Sequence, residues 1–175
     1  VEAMNAMVTL MREHIPERAR IHYVITDGGK APNVVPDYAE VYYYARHNSR
    51  EVVSDIFERI VKAGEGAALG TGTKMEYEIV NGVYELLPNV QLQRIVHKNL
   101  EAIGGVTYTP EEMAFATEIS KTLGPDPLQS NVALEVQPFK TEGRAYGSTD
   151  VGDVSFVVPT AGIRIATWVP GTPAH

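Results

Sequence analysis

The sequence predicts an α/β chain of the α+β type. It opens as a ferredoxin-like two-layer unit, β-α-β-β-α-β, that lacks its first strand, and continues into a second α/β half. Three observations carry this. Helix-period and strand-period stretches alternate as α-β-β-α-β over residues 1–83. The last of these, "TKMEYEIVNG", places Lys74, Glu76 and Glu78 on one face and Met75, Tyr77 and Ile79 on the other, the pattern of a half-buried strand. The 175 residues, 44% hydrophobic and 21% charged, are enough to bury a core in a globular chain.

Each element has a local cause. Met4, Met7, Val8, Met11 and Ile15 recur at helical spacing over residues 2–15, and Pro16 stops that helix. "RIHYVIT" is rich in β-branched and aromatic residues and predicts a strand. "DGGKAPNVVPD" then reads as a loop, and "YAEVYYYAR" as a second strand. Ser49 is placed to cap a helix over 50–67, with Val53, Ile56, Phe57, Ile60 and Val61 on its buried side. After a boundary at "LLPN", Asn89 caps a helix through Leu92, Ile95, Val96, Leu100 and Ile103, closed by Gly104 and Gly105. "TPEE" supplies Thr109 as N-cap, Pro110 at the first helical position and Glu112 three residues beyond the cap. That helix runs to Leu123, "GPDPLQSN" is loop, and 131–145 is irregular. "DVSFVVPT" and "GIRIATWV" predict two further strands. The domains are therefore 1–84 and 85–175.

Charge and composition exclude several classes. The net charge of −7 comes with no Lys/Arg cluster, so no nucleic-acid partner is expected. No apolar run is long enough to span a membrane, and the first helix is too polar for a signal peptide. The absence of cysteine removes disulfide and thiolate chemistry. A cytoplasmic protein fits, though a cysteine-free chain also tolerates export. Valine at position 1 fits a processed or partial chain, and equally removal of an initiator methionine.

The histidines His14, His22, His47, His97 and His175 form no H-x-H, H-x-D or H-E-x-x-H pattern, so no complete zinc site is encoded locally. His14 and His97 are expected in solvent and His47 at an exposed turn. His22 lies in a strand, either packed in the core or facing a cleft. Glu111 and Glu112 look like a base beside a ligand, but the capping box accounts for both. "GSTDVGD" reads from its residues as a plain turn with an Asp cap, the alternative being that its backbone N–H groups and the Ser148 and Thr149 hydroxyls hold an anion. "DGGKAPNVVPD" holds more glycine, proline and asparagine than a tight hairpin needs, which marks a functional loop.

Three segments, "RIHYVITDGGKAPNVVPD" with a strand ending in Arg46, "YGSTDVGDVSFVVPT" and "ATWVPGTPAH", resemble M20 peptidases and amidohydrolases in collinear order. The resemblance spans nearly the whole chain and is closest to the larger-subunit, p-aminobenzoyl-glutamate branch of that family. It implies a lid or dimerisation domain over 1–84 and a partial metallopeptidase catalytic domain over 85–175. It implies hydrolysis of the amide bond of p-aminobenzoyl-glutamate, or a similar N-acyl amino acid, by a two-metal zinc or manganese site. Also implied are a small-molecule amide substrate with a carboxylate, a homodimer formed through the lid, and a second hydrolase subunit.

By the same resemblance, Asn33 and Arg46 bind the substrate's carboxylate or scissile carbonyl, and Gly147, Ser148, Thr149 and Asp150 form a loop near the substrate; His22 has no counterpart there and is a candidate cleft residue from its strand position alone. His175 matches the last metal ligand. The other ligands, the bridging carboxylate, the Glu-Glu pair and the first lid strand have no counterpart, so no complete catalytic set is expected and the isolated chain is expected to be inactive. The alternative is a non-catalytic dimerisation and carboxylate-binding module derived from such a lid.

Overall fold

A computed structural model describes residues 1–123, 134–141, 147–169 and 172. The chain divides into two compact units, Val1–Glu85 and Leu86–His175.

The first unit begins with α1 (Glu2–Met11), extended by a 3-10 turn over Arg12–His14. Ile15 is extended, and Pro16 then turns the chain, with Ala19 N–H donating to the Pro16 carbonyl at 2.8 Å. Strands β1 (Arg20–Asp27) and β2 (Glu40–Arg46) pair antiparallel from Arg20 opposite Arg46 to Ile25 opposite Val41. An irregularity follows before Asp27 meets Glu40. Helix α2 (Arg50–Thr71) closes the unit. It runs past the expected end at Ala67 because Gly72, at φ 67°, is the first residue to take the left-handed conformation that ends a helix.

The core forms where one helical stripe meets one sheet face. Val8, Ala19, Ile21, Ile56 and Ile60 are buried together, with Met4, Met11, Ile15, Tyr43, Ala45, Val52 and Ala63 packed around them. The period of two along β1 and β2 places Ile21, Tyr23, Ile25, Val41, Tyr43 and Ala45 on this inner face. Tyr43 reaches through it to donate to the Asn5 Oδ1 on α1. Asn5 is buried, and this bond removes the cost of leaving its carbonyl unpaired there.

The third expected strand is not formed. Residues 73–82 are irregular, and the sheet of the described residues has only β1 and β2. The alternation still sets which side chains turn inward. Met75 is half-buried beside Gly64 and Met4, and the Tyr77 ring meets Phe57 edge-on at 5.9 Å. Ile79 remains 64% exposed. Alternation fixes faces, whereas a strand also needs a neighbour for its backbone groups. The architecture is thus α-β-β-α on a two-stranded sheet, consistent with α+β but without a complete ferredoxin-like sheet.

The second unit contains α3 (Val90–Ile103), α4 (Pro110–Ser120) and a short α5 (Val151–Ser155). The caps read from sequence are in place. Asn89 Oδ1 accepts from Leu92 N–H at 3.0 Å, and Thr109 and Glu112 form the reciprocal capping box. Helix α4 ends at Ser120, three residues before the expected Leu123.

Two strand expectations fail here. The start of "DVSFVVPT" lies in α5 and its following turn, and residues 162–169 form no ladder. In α5, Ser155 Oγ donates to the Gly152 carbonyl at 2.6 Å and accepts Leu87 N–H at 2.8 Å. An apolar run does not by itself fix geometry, and the bond from Ser155 to Gly152, three residues back, favours a helical turn. "GPDPLQSN" and most of 131–145 lie outside the described residues. No helix among the described residues is long and apolar enough to cross a membrane.

Candidate functional site

The expected site residues fall on two structures, one in each unit. In the first unit the β1–β2 hairpin carries His22, Arg46 and, in its connecting loop, Asn33. The helices cover only its inner face. The outer face carries Arg20 opposite Arg46, His22 opposite Tyr44 and Val24 opposite Tyr42, with Thr26 and Glu40 towards the loop. His22 is exposed on this face, so it is not a core histidine. Arg46 is half-buried and has no polar partner among the described residues.

Asn33 and Arg46 do not converge. Asn33 is exposed in the loop at one end of the hairpin, and Arg46 ends β2 at the other. A strand of this length separates them by roughly 20 Å at ~3.4 Å per residue. A small substrate therefore does not reach both from one hairpin.

The loop bearing Asn33 is anchored at both ends. Asp27 Oδ1 accepts Gly29 N–H at 2.9 Å, and Val34 N–H donates to the Ala31 carbonyl at 3.1 Å. Gly29 has φ 98° and lies under Pro36, where an added Cβ would stand 3.2 Å from the proline Cβ and Cγ. Backbone strain and crowding thus coincide there. Gly29→Ala should lower the unfolding free energy by about 1–2 kcal/mol and speed proteolysis within 28–39, as read by urea denaturation and limited digestion.

On the β2 side, Glu40 accepts from the Thr26 hydroxyl at 2.5 Å and from the Tyr38 hydroxyl at 2.7 Å. These two bonds hold its carboxyl below the ordinary carboxylate range, the Thr26 bond having the larger effect. Because the folded value is depressed, this anchoring is present above the unfolded carboxylate pKa and fades as pH falls through the folded one. Amide protection factors in the Tyr38–Glu40 segment, taken against the intrinsic exchange rate at each pH, should therefore fall as acidification passes below the ordinary carboxylate range. Glu40→Ala should remove that dependence. On the inner face, burial, with a smaller contribution from Tyr23, pushes the Tyr43 phenol up to about 12.

Two other histidines depart from expectation. His47 is half-buried and its Nδ1 accepts Ser49 N–H at 3.1 Å. The Ser49 side chain, expected to cap α2, makes no cap bond. His97 is packed rather than solvated: its side chain is 17% exposed, 3.3 Å from Glu101 and with its ring 5.3 Å from Phe139. His14 is exposed as expected.

In the second unit, Gly147, Ser148, Thr149 and Asp150 are exposed and lead into α5. Gly147 has φ 128°, and Thr149 Oγ1 accepts Val151 N–H at 3.2 Å, which makes this a side-chain-closed turn. His175 and most of "PGTPAH" lie outside the described residues. Among the described residues no three of His, Cys, Asp or Glu gather where a metal ion could be held. These residues do not fit a divalent centre by themselves.

Sequence reasoning did not single out Tyr42 and Tyr44, whose rings meet at 5.1 Å in an edge-on pair on the outer face. The signal was present in "EVYYYAR", where a period of two sends Tyr42, Tyr44 and Arg46 to one side and Tyr43 to the other.

A helix-backed hairpin with a free arginine and a structured loop is found here in a chain whose relatives are hydrolases of the M20 family. It is 34% identical over a 200-residue alignment to the B subunit of p-aminobenzoyl-glutamate hydrolase of Escherichia coli (strain K12), an alignment that covers 100% of this chain and 42% of that protein. It is 28% identical to the Xaa-Arg dipeptidases of Mus musculus and Homo sapiens, over 91% and 87% of this chain and 32% and 29% of those proteins. The chain thus spans less than half the length of these relatives. No family model matches it.

Proposed function

We propose that the complete protein is a metal-dependent amidohydrolase that cleaves p-aminobenzoyl-glutamate or a similar N-acyl amino acid. This chain would supply its lid, 1–84, and part of its catalytic domain, 85–175. The observation that carries the reading is the match to the Escherichia coli hydrolase along the entire chain, the hairpin and the Gly147–Asp150 turn included.

In this reading Arg46 grips the substrate carboxylate, because a guanidinium can hold both oxygens at once. Asn33 donates its amide to the carboxylate or the scissile carbonyl, and the Gly147–Asp150 turn borders the bound substrate. The length of the hairpin between Asn33 and Arg46 favours a homodimer in which two protomers contribute one residue each to a site. A dimer contact along β1 is supported by its exposed inner-face residues. A groove of about 580 Å³ is lined there by Asn5, Thr9, Leu10, Tyr23 and Ile25. The lid sheet would be completed by a strand from elsewhere in the complete protein, giving residues 73–82 the neighbour their alternation calls for.

Zinc or manganese would be held by His175 together with residues outside this chain. The metals would supply Lewis-acid activation of water. The 175-residue chain alone would then be inactive. Exposed Phe115, Ile165 and Trp168, at 68%, 61% and 64%, support a second unit that is covered by more protein in the complete enzyme. A separate hydrolase subunit is a further expected partner.

The test is direct. The complete protein, supplied with zinc or manganese, should release p-aminobenzoate and glutamate from p-aminobenzoyl-glutamate and stop when chelator is added. Carboxylate binding without turnover of any acyl-amino acid or dipeptide would leave a non-catalytic module instead.

A further inference from the structure

We propose that Met75 is a sulfoxidation site whose modification releases residues 73–82 from α2. Hydrogen peroxide turns the thioether that seats this segment into a polar sulfoxide that the seat does not hold. This is a property of the first unit, whether or not the complete protein is a hydrolase.

Thioethers are the sulfur that this chain offers to an oxidant. It has no cysteine and five methionines. Met4, Met7 and Met11 lie on α1, and Met75 packs against α2 from the segment that follows it. Gly64, buried on α2, makes the seat. A Cβ there would stand 3.0 Å from Met75 Cε and 3.4 Å from both Met75 Cγ and Met4 Sδ. The two carbons that flank the Met75 sulfur therefore lie against bare helix backbone, and the Met4 sulfur borders the same notch.

Residues 73–82 depend on this seat more than a strand would. Thr73 N–H donates to the Ala68 carbonyl at 3.0 Å, but no ladder holds the residues beyond it. Their described hold on α2 is side-chain packing, Met75 over Gly64 and the Tyr77 ring edge-on to Phe57. Lys74 pairs with Glu76 inside the segment, which ties nothing to the helix. Ile79 and Val80 are 64% and 65% exposed.

Oxidation acts on that hold directly. The sulfur gives two electrons to the peroxide as an S–O bond forms and the O–O bond breaks. The second peroxide oxygen leaves with both protons as water. The product carries a hydrogen-bond acceptor where the thioether was apolar. At the notch this acceptor meets helix N–H groups that are already bonded along the helix, and the Met4 thioether, which donates nothing. An acceptor unpaired there favours the state in which it reaches water, so Met75 leaves the notch and the segment loses one of its anchors. Met7 is the internal comparison. It packs beside Gly66, its Cε 3.5 Å from where a Cβ would be, yet it is 44% exposed, so its sulfoxide turns to water in place.

The experiment treats the 175-residue chain with hydrogen peroxide, locates sulfoxides by peptide mass spectrometry and reads trypsin cleavage after the exposed Lys74. Cleavage should rise about tenfold once Met75 is oxidised. A methionine sulfoxide reductase should return it to the starting rate, a readout independent of any variant. Met75→Leu, which fills the seat without an oxidisable sulfur, should be cleaved slowly with and without peroxide. Met75→Gln should be cleaved fast from the start, and Met7→Leu should leave the peroxide response unchanged. A response that persists in Met75→Leu, a Met75 sulfoxide with unchanged cleavage, or no oxidation of Met75 while Met7 converts would each overturn the proposal.

Discussion

Ile56→Ala is expected to lower the unfolding free energy of the first unit by about 3 kcal/mol, within the range of buried Ile-to-Ala losses. Ile56 has no exposed surface and lies where α2 meets α1 and the sheet, beside Val8, Ile21 and Ile60. Its truncation removes three carbons' worth of burial and leaves a void that two helices and a short sheet cannot all close on. A urea titration read by Tyr fluorescence should show a lower midpoint with an unchanged slope. Leu69→Ala, on the same helix but 86% exposed, should shift it by less than about 0.5 kcal/mol. Equal effects at the two positions would mean that this interface is not the core of the unit.

The second large effect is functional. In the complete protein, Arg46→Gln should reduce kcat/KM for an acyl-glutamate by about a hundredfold, the value of losing a charge-assisted carboxylate contact. The loss should be recovered in part by substrates whose carboxylate is replaced by an amide, since the glutamine can still donate to it. A uniform loss across charged and neutral substrates would indicate damage to β2 rather than to recognition. Arg46 carries no internal ion pair in the described residues, so its removal should leave the unfolding midpoint nearly unchanged.

The contrast between what the residues disclosed and what they did not follows the range of the forces involved. The Asn89 cap and the Thr109–Glu112 box were legible because both partners lie within one helical turn. The β1–β2 hairpin was legible because each strand has its partner one loop away. Residues 73–82 have the right alternation, and Met75 and Tyr77 obey it against α2, but a ladder depends on a distant neighbour that local pattern cannot supply. The run from Asp153 starts inside α5, where Ser155 donates to Gly152 three residues back, and its bond from Leu87 comes from a segment distant in sequence that local pattern does not disclose.

The candidate site divides in the same way. Asn33 and Arg46 were recognisable from their motif, yet their separation along the hairpin is a property of the register. The Glu40 clasp on Thr26 and Tyr38 depends on bringing β1 and β2 side by side, which no single stretch of sequence displays. Tyr44 was readable from a period of two, and was overlooked because three consecutive tyrosines look like one block until the strand sends them to opposite faces.

Metal stoichiometry tests the central claim most directly. After dialysis against zinc or manganese and then buffer, the complete protein should retain two divalent ions per chain while the 175-residue chain retains none. Two ions held firmly by the 175-residue chain, through its own side chains, would contradict the account.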